Sequence, residues 1–160
     1  MKYQEPAFNY EKAEKDLLDM IYPASGYVMT NHYCFYDAIH PTKKHVTEVK
    51  VRMFGLEYFT NKFNGEFLIE VDKYNKLQEE AQRKGFKLIY AFGFTHYKTK
   101  QLEAYTALNL TDVDLSTLPI KQMLCPVDTR EGKELYKSKP CYIIPKGFIP
   151  ESNTYTRIKK

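Results

Sequence analysis

The run from Phe86 to Phe94 constrains the fold more than any other part of the chain. Phe86-Lys87-Leu88-Ile89-Tyr90-Ala91-Phe92-Gly93-Phe94 has almost no polar side to offer to water. It reads as a strand buried on both faces, which needs cover above and below. The segments around it supply that cover. From Phe8 to Tyr22 apolar residues recur at helical spacing: Tyr10, Ala13, Leu17 and Ile21, flanked by Leu18 and Met20. Asn9 is placed to cap this helix, and Pro23 and Gly26 to end it. A second helix is expected over Glu66–Lys84, with a stripe of Phe67, Val71, Tyr74, Leu77 and Ala81 and a terminating Gly85.

Between the helices the period changes. Tyr27–Ile39 is rich in Val, Tyr and Phe and reads as one or two strands. A polar turn follows at 40–44. Val46–Met53 then alternates, with Val49, Val51 and Met53 on one face and Val46, Glu48, Lys50 and Arg52 on the other. Phe54–Gly65 reads as a loop, and Gln101–Leu110 as a strand reached through the turn Thr95–Lys100. Past Asp112, only Met123–Val127 and Cys141–Ile144 look like short strands, joined by a polar segment with room for a helical turn. The expectation is one α/β domain over 1–160, a mixed sheet flanked by helices. Its core would span about 8–110, with 111–160 an irregular extension.

Composition narrows the function classes. With 160 residues, 43% hydrophobic and 28% charged, the chain fits a soluble globular protein with one sizeable core. No apolar run approaches the ~18 residues of a membrane span, and the N-terminus lacks the apolar stretch of a secretory signal. Three scattered cysteines, Cys34, Cys125 and Cys141, suggest reduced thiols rather than a disulfide framework or a zinc site. A cytoplasmic location follows as the expectation. Residues 121–160 carry 9 Lys and Arg against 4 Asp and Glu, while 1–120 are nearly balanced. The basic end, with Arg157, Lys159 and Lys160, is either a solvated tail or a source of phosphate contacts.

Asp37 is the residue that points to chemistry. It sits in Tyr33-Cys34-Phe35-Tyr36-Asp37-Ala38-Ile39, where a charge is costly unless it is paired or bound to a metal. Pairing the strands across the 40–45 turn brings it beside Glu48. Lys50 leaves the same strand face as Glu48, ~6.6 Å along. Two adjacent carboxylates repel, and a hard divalent ion relieves that repulsion. The competing reading of Asp37 is a salt bridge to Lys50 or Arg52. Glu14 lies within the apolar stripe of the first helix and can reach the same place, with Glu11 the second choice. Lys73, near the start of the second helix, is placed to neutralise a phosphate or fix a carboxylate; Gln78 is a weaker candidate.

These residues resemble the PD-(D/E)XK nuclease superfamily, whose core runs helix–strand–strand–strand–helix–strand. The matching elements are Asp37, Glu48-Val49-Lys50 with Arg52 following, Glu70-Val71-Asp72-Lys73-Tyr74, and Lys87-Leu88-Ile89-Tyr90-Ala91-Phe92. Glu-Val-Lys-Val-Arg before such a helix is similar to small phage-type nucleases, although Tyr36 replaces the name-giving proline. The resemblance implies a restriction-endonuclease-like core and a Mg²⁺- or Mn²⁺-dependent deoxyribonuclease. The ion would be held by Asp37, Glu48, the Val49 carbonyl and Glu14. Lys50 would assist the attacking water, and Arg52, Lys73, Lys43 and Lys44 would contact DNA. Alternatives are a catalytically inactive nucleic-acid-binding module of this fold, a Holliday-junction-resolvase-like homodimer and a protein-interaction module.

Overall fold

The computed structural model describes residues 8–30, 34, 36–126, 136–149 and 155–158. In chain order the elements are α1 (Tyr10–Ile21), β1 (Val28–Met29), β2 (Ala38–His40), β3 (His45–Arg52), α2 (Leu56–Lys62), β4 (Phe67–Glu70), α3 (Val71–Lys84), β5 (Lys87–Thr95), β6 (Leu102–Asn109), β7 (Ile120–Pro126), β8 (Tyr136–Ile144) and β9 (Thr156–Arg157). The apolar run is β5, and each residue from Leu88 to Thr95 is buried. It lies inside a six-stranded mixed sheet ordered β1-β2-β3-β5-β6-β9. β3 and β5 are parallel over their whole length, and their other neighbours are antiparallel.

The two faces of β5 differ in bulk. Leu88, Tyr90, Phe92 and Phe94 pack with Tyr74, Leu77 and Ala81 of α3. Ala91 lies on the other face with Ala13, Leu17 and Leu18 of α1 and with Val49 and Val51 of β3. A Cβ on Gly93 would come 3.2 Å from Leu17 Cδ2 and 2.7 Å from Leu102 Cδ1. Small residues there let α1 sit close to the sheet, while the aromatic face fills the wider gap to α3. Asn9 caps α1 as expected, its Oδ1 accepting from the Lys12 N–H at 3.1 Å.

Four expectations are corrected. The expected loop 54–65 contains α2, whose Leu56 and Phe59 are buried. Glu103 of β6 caps it by accepting the Leu56 N–H at 3.1 Å, and a Cβ on Gly55 would collide with that carboxylate. The second helix begins at Val71, because Phe67 and Ile69 alternate inward as β4 and pair with β8. That partner lies far along the chain, where local periodicity does not register it. The region past 111 is not irregular: β7 and β8 form a hairpin that joins β4 in a second sheet, and β9 pairs with β6. Met53 lies past the end of β3 and is 49% exposed, so it is not part of the inward face.

Cys141 is buried and Cys34 half-buried, both as free thiols. The Cys125 side chain, the segment 127–135 with its expected helical turn, and Lys159 and Lys160 lie outside the described residues. Among the described residues no helix is long and apolar enough to cross a membrane.

Candidate active site

β2 follows β3 for only three residues, from His40↔His45 to Ala38↔Thr47. The Asp37 N–H still donates to the Thr47 carbonyl at 3.2 Å, and then the strands part. β3 runs on to Arg52, still paired with β5. At this fork the Val49 N–H donates to Asp37 Oδ2 at 2.7 Å, so a side chain continues the ladder where the backbone has left it. A strand residue turns its N–H and C=O to the same edge. The Val49 carbonyl therefore faces the fork too.

Glu48 lies at this fork on the α3 face and is 1% exposed. In the alternating row Val46, Glu48, Lys50, Arg52 the first two are buried on the α3 face and the last two half-buried. The Asp37 carboxyl lies beside that of Glu48, near enough to act on it through a hydrogen bond and through its charge. Burial first, and then this hydrogen bond, push Glu48 far above the usual carboxylate range, while Lys50 and Lys73 pull it down. Lys73 Nζ stands 3.0 Å from Glu48 Oε2, without hydrogen-bond angles, so Oε2 has an ion-pair neighbour and no hydrogen-bond partner. Burial opposes the Lys73 charge, but Glu48 outweighs it and holds the ammonium above its ordinary value.

The sequence candidates fall into two groups. Asp37, Glu48, Lys50 and Lys73 meet at the fork. Glu14 reaches it from α1: burial, then the charge of Asp37, push its carboxyl up to about 7, against the pull of Lys50 and Lys73. Glu11 is exposed and touches the site only through its charge on Glu14. Arg52 lies further along the row, its guanidinium carbon 6.0 Å from the Phe92 ring centre. Lys43 and Lys44 are exposed in the hairpin turn, ~13 Å of strand from Glu48. Lys43 stands 5.5 Å over the Tyr22 ring. Gln78 is a brace rather than a site residue, donating to Tyr74 Oη and the Leu110 carbonyl, both at 2.6 Å.

Tyr90 belongs to the site although sequence reasoning passed over it. It is the β5 register partner of Glu48 and is 1% exposed. Its hydroxyl has no hydrogen-bond partner. Burial, then the charge of Glu48, hold that hydroxyl well above its usual range. The available signal was its position, in register with Glu-x-Lys once β3 and β5 are paired. Glu70 also acts on Tyr90 and Lys73, and Lys139 of β8 reaches it at 3.5 Å, which ties the second sheet to the site.

Among the described residues no three His, Cys, Asp or Glu side chains converge closely enough to ligate one ion. The oxygen donors at the fork are the Asp37–Glu48 pair and the Val49 carbonyl, with Glu14 farther out. No family model, curated protein or solved structure matches the chain.

Proposed function

We propose that the protein is a metal-dependent nuclease that hydrolyses DNA phosphodiester bonds. One observation carries this reading: a buried carboxyl, Glu48, and a half-buried one, Asp37, lie side by side at the strand fork, with Lys50 and Lys73 acting on Glu48. Such a pair is unfavourable in the interior unless it shares a proton or a cation. Its donors are hard oxygens, which suit Mg²⁺ or Mn²⁺ with waters completing the shell. Asp37, Glu48 and the Val49 carbonyl would hold the ion, and Glu14, farther out, would reach it through water. When bound, it supplies a water of lowered pKa and positive charge beside the phosphate.

The chain's own residues do the rest. Lys50 orients the attacking water and faces the negative charge that gathers on the phosphate oxygens. Lys73 pins Glu48 Oε2 and keeps positive charge beside the carboxylates. Arg52 contacts the phosphate backbone. The order of elements agrees with the superfamily core: α1, the meander β1-β2-β3, then α3 leading to the parallel strand β5. Against that core, α2 and β4 would be insertions.

The test is cleavage of end-labelled single-stranded and duplex DNA with Mg²⁺, Mn²⁺ or EDTA. Metal-dependent products are expected, and they disappear in Lys50→Ala. Intact substrate with wild-type protein and either metal removes the reading. The Lys73–Glu48 ion pair favours a second one, in which the lysine stands where a metal would and the fold only binds nucleic acid. Calorimetric titration with Mg²⁺ separates them: binding that Asp37→Asn weakens supports the enzyme, and DNA binding without metal binding supports the module.

A further inference from the structure

The hairpin tip between β5 and β6 lies past the same end of the sheet as Arg52. Arg52 is the register partner of Phe94, and Thr95 Oγ1 donates to the Arg52 carbonyl at 2.8 Å. The row Glu48, Lys50, Arg52 on β3 therefore runs towards the tip. Glu48 is level with Tyr90, and from there to His96 is ~20 Å of strand. The tip, His96-Tyr97-Lys98-Thr99-Lys100-Gln101, contains no acidic residue. Tyr97 is 64% exposed, and Lys98 is exposed beside it.

The tip is braced by its own contacts. The His96 N–H donates to the Gln101 carbonyl and the Lys100 N–H to the His96 carbonyl, both at 2.9 Å. His96 Nδ1 accepts the Lys98 N–H at 3.1 Å and the Thr99 N–H at 3.4 Å, which leaves the ring proton on Nε2. Lys100 Nζ donates to the Tyr97 carbonyl at 2.8 Å. The Tyr97 ring stacks on His96 with centres 5.0 Å apart, and Lys98 Nζ stands 5.5 Å over it. That cation–π contact holds the Lys98 ammonium on the exposed side of the tip. Two acidic residues follow nearby. Glu103 is spent on the Leu56 N–H at the start of α2, and Glu57 is exposed next to Leu56. Arg157 of β9, exposed and paired with Ala104 of β6, adds a further cation on this edge.

We propose that this tip is a second phosphate contact for DNA, in which Lys98, held by Tyr97, grips the backbone about six base-pair steps from the phosphate at the fork. Charge complementarity selects a polyanion. The line of Lys50 and Arg52 leading from the fork to the tip selects a nucleic acid, whose phosphates repeat along a track, over a lipid surface. The Tyr97 ring is already engaged by His96 and Lys98, so the tip reads phosphate rather than base and adds affinity without sequence preference. The inference extends the site proposed above and rests on that reading.

The experiment is fluorescence anisotropy in EDTA, so that nothing is cut, over a series of salt concentrations. The probe is a labelled DNA duplex of about 24 base pairs, long enough to span both contacts. Lys98→Gln should weaken binding about five-fold or more at 0.1 M salt and lower the salt slope by ~0.9. Tyr97→Ala should weaken it about two- to five-fold through loss of the ring under Lys98, and Tyr97→Phe, which keeps the ring, should bind as wild type does. These positions are exposed, so the variants should melt as wild type does. Lys98→Gln with wild-type affinity and slope overturns the proposal, as does a loss confined to phosphatidylserine vesicles measured in parallel. Cleavage of the same duplex with Mg²⁺ keeps the two readings apart. Lys98-dependent binding without cleavage upholds the tip and sinks the nuclease; metal-dependent cleavage with Lys98→Gln binding unchanged does the reverse. Duplex left unbound by wild-type protein removes both.

Discussion

At the turn end of the β2–β3 hairpin, the Tyr22 hydroxyl lies 2.9 Å from both Thr47 Oγ1 and His45 Nδ1. There the Lys43 N–H donates to His40 Nδ1 at 3.1 Å, which leaves Nε2–H to donate to the Ser25 carbonyl at 3.2 Å. At the fork end, Glu48 Oε2 and Tyr90 Oη are buried without a hydrogen-bond partner, and the Asp37 carboxyl lies beside that of Glu48. Both ends are polar clusters on one hairpin, built from residues of similar burial. The turn end satisfies its own groups, as structural polar clusters do. The fork end leaves the Tyr90 hydroxyl without a partner and Glu48 Oε2 with only an ion-pair neighbour, which is where binding or chemistry is expected.

The largest expected effect comes from disabling the fork. Lys50→Ala should lower cleavage about 100- to 10,000-fold with the melting temperature unchanged; equal turnover would take Lys50 out of the mechanism. Next, Tyr22→Phe should cost about 1–3 kcal/mol in denaturant unfolding, with cleavage per folded molecule unaltered. If activity fell with stability intact, the division between the two ends would fail.

A smaller effect separates the ends by pH. Glu14 keeps its proton up to about 7 when folded, against an ordinary 4.5, and Glu48 is shifted the same way. Between those values the unfolded chain has lost protons that the native state still holds, so metal-free protein should lose stability as pH rises. Glu14→Gln, neutral throughout, should flatten that fall between about pH 5 and 7. His45, held below its ordinary value by burial, acts oppositely and is common to both proteins. Parallel unfolding curves for variant and wild type would show that Glu14 titrates normally. The smallest effect is Tyr90→Phe, which removes an unpartnered hydroxyl and should leave stability equal or raise it by up to ~1 kcal/mol. A clear loss would mean that the hydroxyl is satisfied in solution.

Legibility differed in the same way between parts of the chain. The Asn9 cap, the buried β5, the hairpin and the meeting of Asp37 with Glu48 were readable, because each depends on neighbours within a few residues or across one turn. β4 was read as helix, because its partner β8 lies far along the chain; parts of β7 and β8 were read as short strands, but their hairpin and its joining to β4 were not. Glu14 was placed by its position within an apolar helical stripe. Tyr90 looked like one more core aromatic until the parallel register set it against Glu48.

Apolar spacing in the sequence determined the two main helices, the two-faced strand and the neighbouring carboxylates, since periodicity and a short turn act locally. Only the tertiary structure decided that Glu48 in the polar row of β3 is buried on the α3 face, and that β2 leaves β3 at Asp37. Those outcomes depend on which surfaces pack together across the chain, and burial of a charge is a property of that packing rather than of the residue.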